Sequence, residues 1–100
     1  MSFFSVFFGG SAGKYSNQEK IINEQEIHRL FNSIHLPNVS ENEENTVEKA
    51  VLLARHSDGK ISLRKIFETL RYLEKSKKIS KNDRIKLMKV FENYFSQHFS

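Results

Sequence analysis

Cysteine is absent from this 100-residue chain, and proline occurs only once, at Pro37. Without cysteine, the chain can form no disulfide, no cysteine-based zinc site and no thiol nucleophile. Scarce proline is more typical of helices joined by polar turns than of a turn-rich β-sandwich. The sequence also lacks the run of ~20 apolar residues that a membrane-spanning helix needs. We therefore expect a helical domain with its own core, and neither a spanning helix nor a secretory signal.

Charge is distributed unevenly along the chain. Residues 1–50 hold four Lys/Arg against seven Asp/Glu, a net charge of −3, whereas residues 51–100 hold twelve against five, a net charge of +7. The basic half indicates either the solvated faces of two helices or a surface for phosphate or nucleic acid. The candidate basic patch consists of Lys75, Lys77, Lys78, Lys81 and Arg84.

The chain divides into an apolar, glycine-rich N-terminal segment, residues 1–16, and a helical domain, residues 17–100. No charged residue precedes Lys14, and the glycine, serine and alanine of residues 9–13 are typical of a flexible linker. Four phenylalanines precede that linker, and a helix would place them in i,i+4 pairs on one face. Their rings predict contact with a membrane surface, with a partner or with the domain's own core. These phenylalanines are Phe3, Phe4, Phe7 and Phe8.

Hydrophobic periodicity predicts four amphipathic helices after the N-terminal segment. Ser40 with Glu43, and Ser80 with Asp83, have the spacing of capping boxes at the start of the second and fourth helices. Short polar turns separate the helices, so we expect an all-α fold, a small four-helix domain made of two helical hairpins. The apolar repeats place the helices at about 17–34, 41–55 and 63–75, and from 81 to the end of the chain.

The turn between the second and third helices, residues 57–62, has the sequence Ser-Asp-Gly-Lys-Ile-Ser and resembles the loop of an EF-hand. The resemblance covers residues 46–76 and implies a helix-loop-helix unit. In that family, a glycine allows the sharp turn, an isoleucine pairs with a sister loop, and oxygen ligands surround calcium. Gly59 and Ile61 would take the first two roles. The same short phrase also occurs in helical domains similar to the tellurite-resistance TerB type.

The same register leaves the loop without the family's calcium ligands. Its first, third and twelfth positions fall on Ala54, His56 and Lys65, whereas calcium takes six or more oxygens and a glutamate normally stands at the twelfth. Asp58 is then best interpreted as a turn residue. We expect a degenerate, metal-free loop around Asp58, Gly59 and Ile61, and no cofactor.

The sequence contains no recognisable catalytic constellation. Glu24 and His28 are spaced i,i+4 on one helix, but no third metal ligand follows at a recognisable spacing, so we expect a surface pair. No serine lies in a nucleophile elbow, and no carboxylate pair stands where burial would separate its pKa values. We therefore predict that the protein is not an enzyme.

These observations favour a non-enzymatic, calcium-independent protein-interaction domain that binds a partner's amphipathic helix in an apolar groove. Its twelve aromatic residues exceed what one thin core obviously requires. Alternatives are peripheral membrane anchoring through the phenylalanines of residues 1–13, and phosphate or nucleic-acid binding by the basic half. We expect a cytoplasmic location, either free or peripheral to a membrane, and leave the oligomeric state open. The predicted groove residues, whose alternative role is core packing, are Phe67, Leu70, Met88, Phe91 and Phe95.

Overall fold

A computed structural model describes residues 15–33, 36 and 39–99 of the chain. The chain is mostly helical, as predicted, since four helices hold 69% of the described residues. Two short strands accompany them. The elements in chain order are β1 (Glu19–Ile21), α1 (Glu24–Ser33), α2 (Glu41–Ala54), β2 (Lys60–Ser62), α3 (Leu63–Lys75) and α4 (Lys81–Phe99).

The prediction of a first helix from residue 17 is wrong at its beginning. Residues 19–21 are extended and pair antiparallel with β2, with Lys20 opposite Ile61, and the backbone N–H of Ile22 donates to the carbonyl of Gly59 at 3.1 Å. Helix α1 begins only after Asn23, whose side-chain oxygen accepts from the backbone N–H of Glu26 at 2.8 Å. The pairing with β2 gives the backbone N–H and C=O groups of residues 19–22 the hydrogen-bond partners that a helix would otherwise have provided.

Serine side chains cap the other three helices. Ser40 forms a full capping box with Glu43 at the start of α2, as its spacing predicts. The hydroxyl of Ser62 accepts from the backbone N–H of Lys65 at 3.0 Å, and that of Ser80 accepts from the N–H of Asp83 at 3.0 Å. These local bonds fix where α2, α3 and α4 begin.

The turn between α3 and α4 is a Schellman motif. The N–H of Lys78 donates to the carbonyl of Leu73 at 2.8 Å, and the N–H of Lys77 donates to that of Glu74 at 3.0 Å. Lys77 has a φ of 63°, in the left-handed region that favours glycine. The turn reverses the chain and brings α4 against α3.

One hydrophobic core joins all four helices. Consecutive helices pack against one another, with α3 between α2 and α4. None of the helices in the described part of the chain is long and apolar enough to cross a membrane. The core residues are Ile22, Ile27, Phe31, Val47, Val51, Ile61, Ile66, Phe67, Leu70, Leu73, Ile79, Leu87, Met88 and Phe91.

Candidate functional site

Four of the five predicted groove residues lie in the core. Phe67, Leu70, Met88 and Phe91 are each at most 2% exposed, and the ring of Phe91 meets that of Phe31 edge-on, with centroids 5.8 Å apart. Their helices pack together and bury this apolar stripe, so a partner cannot contact it in this conformation. The fifth predicted residue, Phe95, is half-buried beside a cleft.

An open cleft of about 450 Å³, here called the α1–α4 cleft, lies between α1 and the C-terminal half of α4. Each wall is one helix face, because its residues follow the i, i+3, i+4, i+7 spacing. Leu30, Val90 and Tyr94 supply its apolar surface, and polar side chains surround them. The α1 wall consists of Glu26, Arg29, Leu30 and Ser33. The α4 wall consists of Val90, Asn93, Tyr94, Gln97 and His98.

Tyr94 connects the two walls of the α1–α4 cleft. Its hydroxyl donates to Oε2 of Glu26 at 3.1 Å, while Nη1 of Arg29 donates to Oε1 of the same carboxylate at 3.0 Å. The ring of His98 stacks on Tyr94, with centroids 4.3 Å apart. Burial, and then the hydrogen bond and charge of Glu26, raise the pKa of Tyr94 to about 12. Tyr94 is therefore a neutral hydrogen-bond donor across the physiological pH range.

A second cleft of about 390 Å³, here called the Tyr15 cleft, lies on the other side of α4. Tyr15 forms part of its wall and is fixed twice, since its ring lies 5.0 Å from that of Phe67 and its hydroxyl donates to Oε2 of Glu92 at 3.1 Å. Burial, and then the charge of Glu92, raise the pKa of Tyr15. Phe95 and Phe99 line the cleft with half-buried rings that meet edge-on.

The 57–62 turn has the predicted glycine, and its one carboxylate, Asp58, lies beside the ammonium group of Lys60 at 3.8 Å. Gly59 has a φ of 87°, Ile61 is buried, and Oδ1 of Asp58 accepts from the backbone N–H of Lys60 at 3.0 Å. The guanidinium of Arg55 donates to the carbonyl of Ile22 at 2.8 Å and ties the turn to the chain after β1. Across the described residues, no group of three or more acidic or histidine side chains is placed to hold a metal ion.

Two histidines pair with carboxylates on other elements. His28 contacts Glu48 on α2 through Nδ1 and Oε2, 2.9 Å apart, so the expectation that it pairs with Glu24 is wrong. Nε2 of His56 lies 2.5 Å from Oε2 of Glu19 and links the turn to β1. Both histidines are exposed, and exposed ion pairs contribute at most about 1 kcal/mol. Sequence spacing could not reveal partners this far apart along the chain.

Of the five residues of the predicted basic patch, the four lysines are exposed and Arg84 is not. Its four lysines, at positions 75, 77, 78 and 81, are exposed around the α3–α4 turn. Arg84 instead forms a close ion pair with Glu74, and its guanidinium lies over the ring of Phe67, 5.5 Å from the centroid. Arg84 therefore joins α4 to α3 rather than extending the patch.

Comparison with known proteins gives no relative for this chain. A scan against protein-family models, a search of curated proteins and a search of solved structures each found no match. The phenylalanines predicted as an anchor, Phe3, Phe4, Phe7 and Phe8, lie outside the described residues.

Proposed function

We propose that the protein is a non-enzymatic, calcium-independent interaction domain that binds an amphipathic helix of a partner protein in the α1–α4 cleft. The observation that carries this proposal is the cleft's construction from two helix faces with an apolar surface between them. A third helix can place side chains at i, i+3, i+4 and i+7 along such a cleft, which is the usual pattern of helix-in-groove binding. Leu30, Val90 and Tyr94 would contact these anchors.

Charge at the cleft's edge indicates what the partner helix carries beside its apolar stripe. The side chain of Arg29 is 72% exposed, and its ion pair with Glu26 is an i,i+3 surface pair. Such pairs contribute little to stability, so Arg29 can exchange this contact for a carboxylate of the partner at little cost. We expect an aspartate or glutamate on the partner helix opposite Arg29.

The residues in and after the 57–62 turn support independence from calcium, because Asp58 is the only carboxylate among residues 54–65 and Lys65 follows the turn. The antiparallel pairing of β2 with β1 supports an EF-hand-like arrangement, because EF-hand loops pair in this way, although Lys20 rather than a second isoleucine stands opposite Ile61. Lys65 remains where the family would have a calcium-binding glutamate. Partner binding would then use the cleft as it is, without an opening step.

The proposal is tested with Val90→Asp, which places a charge on the apolar surface of the cleft, and with Arg29→Glu, which reverses the charge at its edge. Their matched controls are Leu53→Asp and Lys49→Glu on α2, where Leu53 is 86% exposed and Lys49 is also exposed. Baits carrying each change are used to capture partners from lysate, in calcium and in chelator. Circular dichroism of each bait confirms that it is folded.

A partner of the proposed kind is retained by the wild-type and both control baits, with or without calcium. Its affinity for Val90→Asp falls about tenfold or more, since a central anchor is commonly worth 2 kcal/mol or more. Its affinity for Arg29→Glu falls by less, because Arg29 lies at the exposed edge of the cleft. Equal capture by cleft and control variants contradicts the proposed site. Capture that needs calcium contradicts the proposal that binding is independent of calcium.

The two other functions predicted from the sequence stay predictions. Membrane anchoring is tested by liposome flotation of the full chain against a chain in which Phe3, Phe4, Phe7 and Phe8 are serine, and equal behaviour contradicts it. Phosphate or nucleic-acid binding by the four exposed lysines must weaken steeply with salt. Binding that does not respond to salt, or no binding at all, removes that function.

A further inference from the structure

We propose that the turn between α3 and α4, with the adjoining end of α3, binds single-stranded nucleic acid, whose phosphates contact lysines and one of whose bases stacks on Tyr72. This part of the molecule is here called the α3–α4 surface. It is separate from the α1–α4 cleft, so the inference does not depend on binding of a partner helix there. The α3–α4 surface consists of Tyr72, Lys75, Lys77, Lys78 and Lys81.

The first support is positive charge that the protein does not neutralise. Residues 71–81 hold five Lys/Arg against one Asp/Glu, a net charge of +4, which equals the net charge of the whole chain. That one carboxylate is occupied, because Glu74 pairs closely with Arg84 and its Oε1 lies 4.0 Å from Nε of Arg71. Across the part of the chain that the structure describes, none of the four lysines of the α3–α4 surface forms an ion pair. Phosphate groups of a ligand would supply the missing negative charge.

The second support is the backbone at Lys77. Its φ of 63° lies in the left-handed region, where glycine would be less strained. The hydrogen bonds of the Schellman motif hold Lys77 and Lys78 in this turn, and both side chains are exposed. Backbone strain of this kind is concentrated at functional positions. A turn that is already fixed also presents its two charges without losing backbone freedom on binding.

The third support is an exposed ring beside these cations. Tyr72 is 69% exposed, and Lys75 lies three residues later on the same side of α3. An exposed aromatic ring stacks on a base of any sequence while neighbouring cations contact the phosphates, and single strands are favoured because an unpaired base exposes its face. A membrane surface fits less well, because the aliphatic residues of this stretch, Leu73 and Ile79, are buried and cannot insert into lipid.

The stacking contact is tested by fluorescence anisotropy, with the full chain titrated into labelled oligothymidine of about 12 nucleotides and into oligouridine of the same length. The tighter ligand of the two identifies DNA or RNA as the source. Tyr72→Ala should bind about tenfold more weakly, the loss expected of one stacked base. Its matched control, Leu53→Ala, removes another exposed apolar side chain, on α2, and should bind as the wild type does. Circular dichroism confirms that both variants are folded.

Lys77→Gly separates binding from folding. The change relieves the left-handed φ and should stabilise the fold, yet it should weaken binding because one cation is lost. The slope of log affinity against log salt concentration should become shallower by about 0.7, the value for one phosphate contact with a single strand. Lys49→Gln on α2 is the control for charge, since Lys49 is also exposed, and it should leave the slope unchanged.

Four outcomes would overturn the inference. The first is that neither oligonucleotide binds at low salt, and the second is that Tyr72→Ala and Leu53→Ala bind equally well. The third is that inorganic polyphosphate of the same charge competes as well as the oligonucleotide, because charge alone would then account for binding. The fourth is binding to vesicles of phosphatidylserine and phosphatidylcholine but to neither oligonucleotide, which would assign the α3–α4 surface to a membrane.

Discussion

Replacing Tyr94 by phenylalanine tests the geometry of the α1–α4 cleft most sensitively. The change keeps the ring and removes only the hydroxyl that donates to Glu26 at 3.1 Å. Glu26 keeps its bond from Arg29 on Oε1, and because its side chain is 32% exposed, water can replace the lost donor at Oε2. The loss is then that of one ordinary hydrogen bond, about 0.5–1.5 kcal/mol in the free energy of unfolding at neutral pH.

The effect of this change must depend on pH in a fixed direction. The pKa of Tyr94 is raised to about 12 in the folded chain, whereas an unfolded tyrosine has a pKa of ~10. Folding therefore favours the neutral phenol, and the stabilisation is complete below pH ~10 and is lost as the pH rises through about 12. The difference between wild type and Tyr94→Phe is constant from neutral pH to pH ~10 and shrinks above it.

Urea unfolding at several pH values measures this difference, and ultraviolet absorbance follows tyrosine ionisation directly. Tyr72→Phe is the matched control, because Tyr72 is 69% exposed, and it should cost much less. Wild type should show one tyrosine that ionises at about pH 12 and is absent from Tyr94→Phe. If Tyr94→Phe were as stable as wild type, and wild type itself showed no such late ionisation, the contact between Tyr94 and Glu26 would be refuted.

Three further changes test other parts of the fold. Lys77→Gly should raise the free energy of unfolding by ~0.5–1 kcal/mol, because it relieves a left-handed φ at a residue with a side chain; urea unfolding checks this, and Lys78→Gly should give no such gain. Ser40→Ala should lower the free energy of unfolding by ~1 kcal/mol, because the cap on α2 is lost, and thermal unfolding measures this change. Millimolar calcium should leave the thermal midpoint unchanged, and an increase would show that the 57–62 turn binds the ion.

Local signals explain why much of the helical structure could be predicted. Helix α2 follows from the capping box of Ser40 and Glu43, and α3 follows from the Asp-Gly turn and the cap at Ser62. Each signal involves neighbouring residues, so tertiary packing did not have to be known. The same holds for the start of α4 after Ser80.

The strand β1 could not be predicted, because three residues are too few to show a period of two. Its pairing partner is also distant, with Lys20 opposite Ile61. The first helix was predicted from residue 17, whereas α1 begins at Glu24. The non-local pairing with β2 holds residues 19–21 extended instead.

The site was the harder part to predict, because the same apolar spacing is typical of a core and of a groove. Phe67, Met88 and Phe91 fit both, and the structure buries them. The surface of the α1–α4 cleft instead combines Leu30 with Val90, which lie on different helices. Only the packing of α4 determines which face of each helix remains open.

The proposed binding of a partner helix in the α1–α4 cleft without calcium can be observed directly by NMR. The ¹⁵N-labelled full chain is titrated, in chelator, with the isolated helix of the captured partner. We expect saturable shifts in the amides of α1 and of residues 90–98 of α4, and weaker binding by Val90→Asp but not by Leu53→Asp. Shifts centred elsewhere, or binding that appears only after calcium is added, would contradict it.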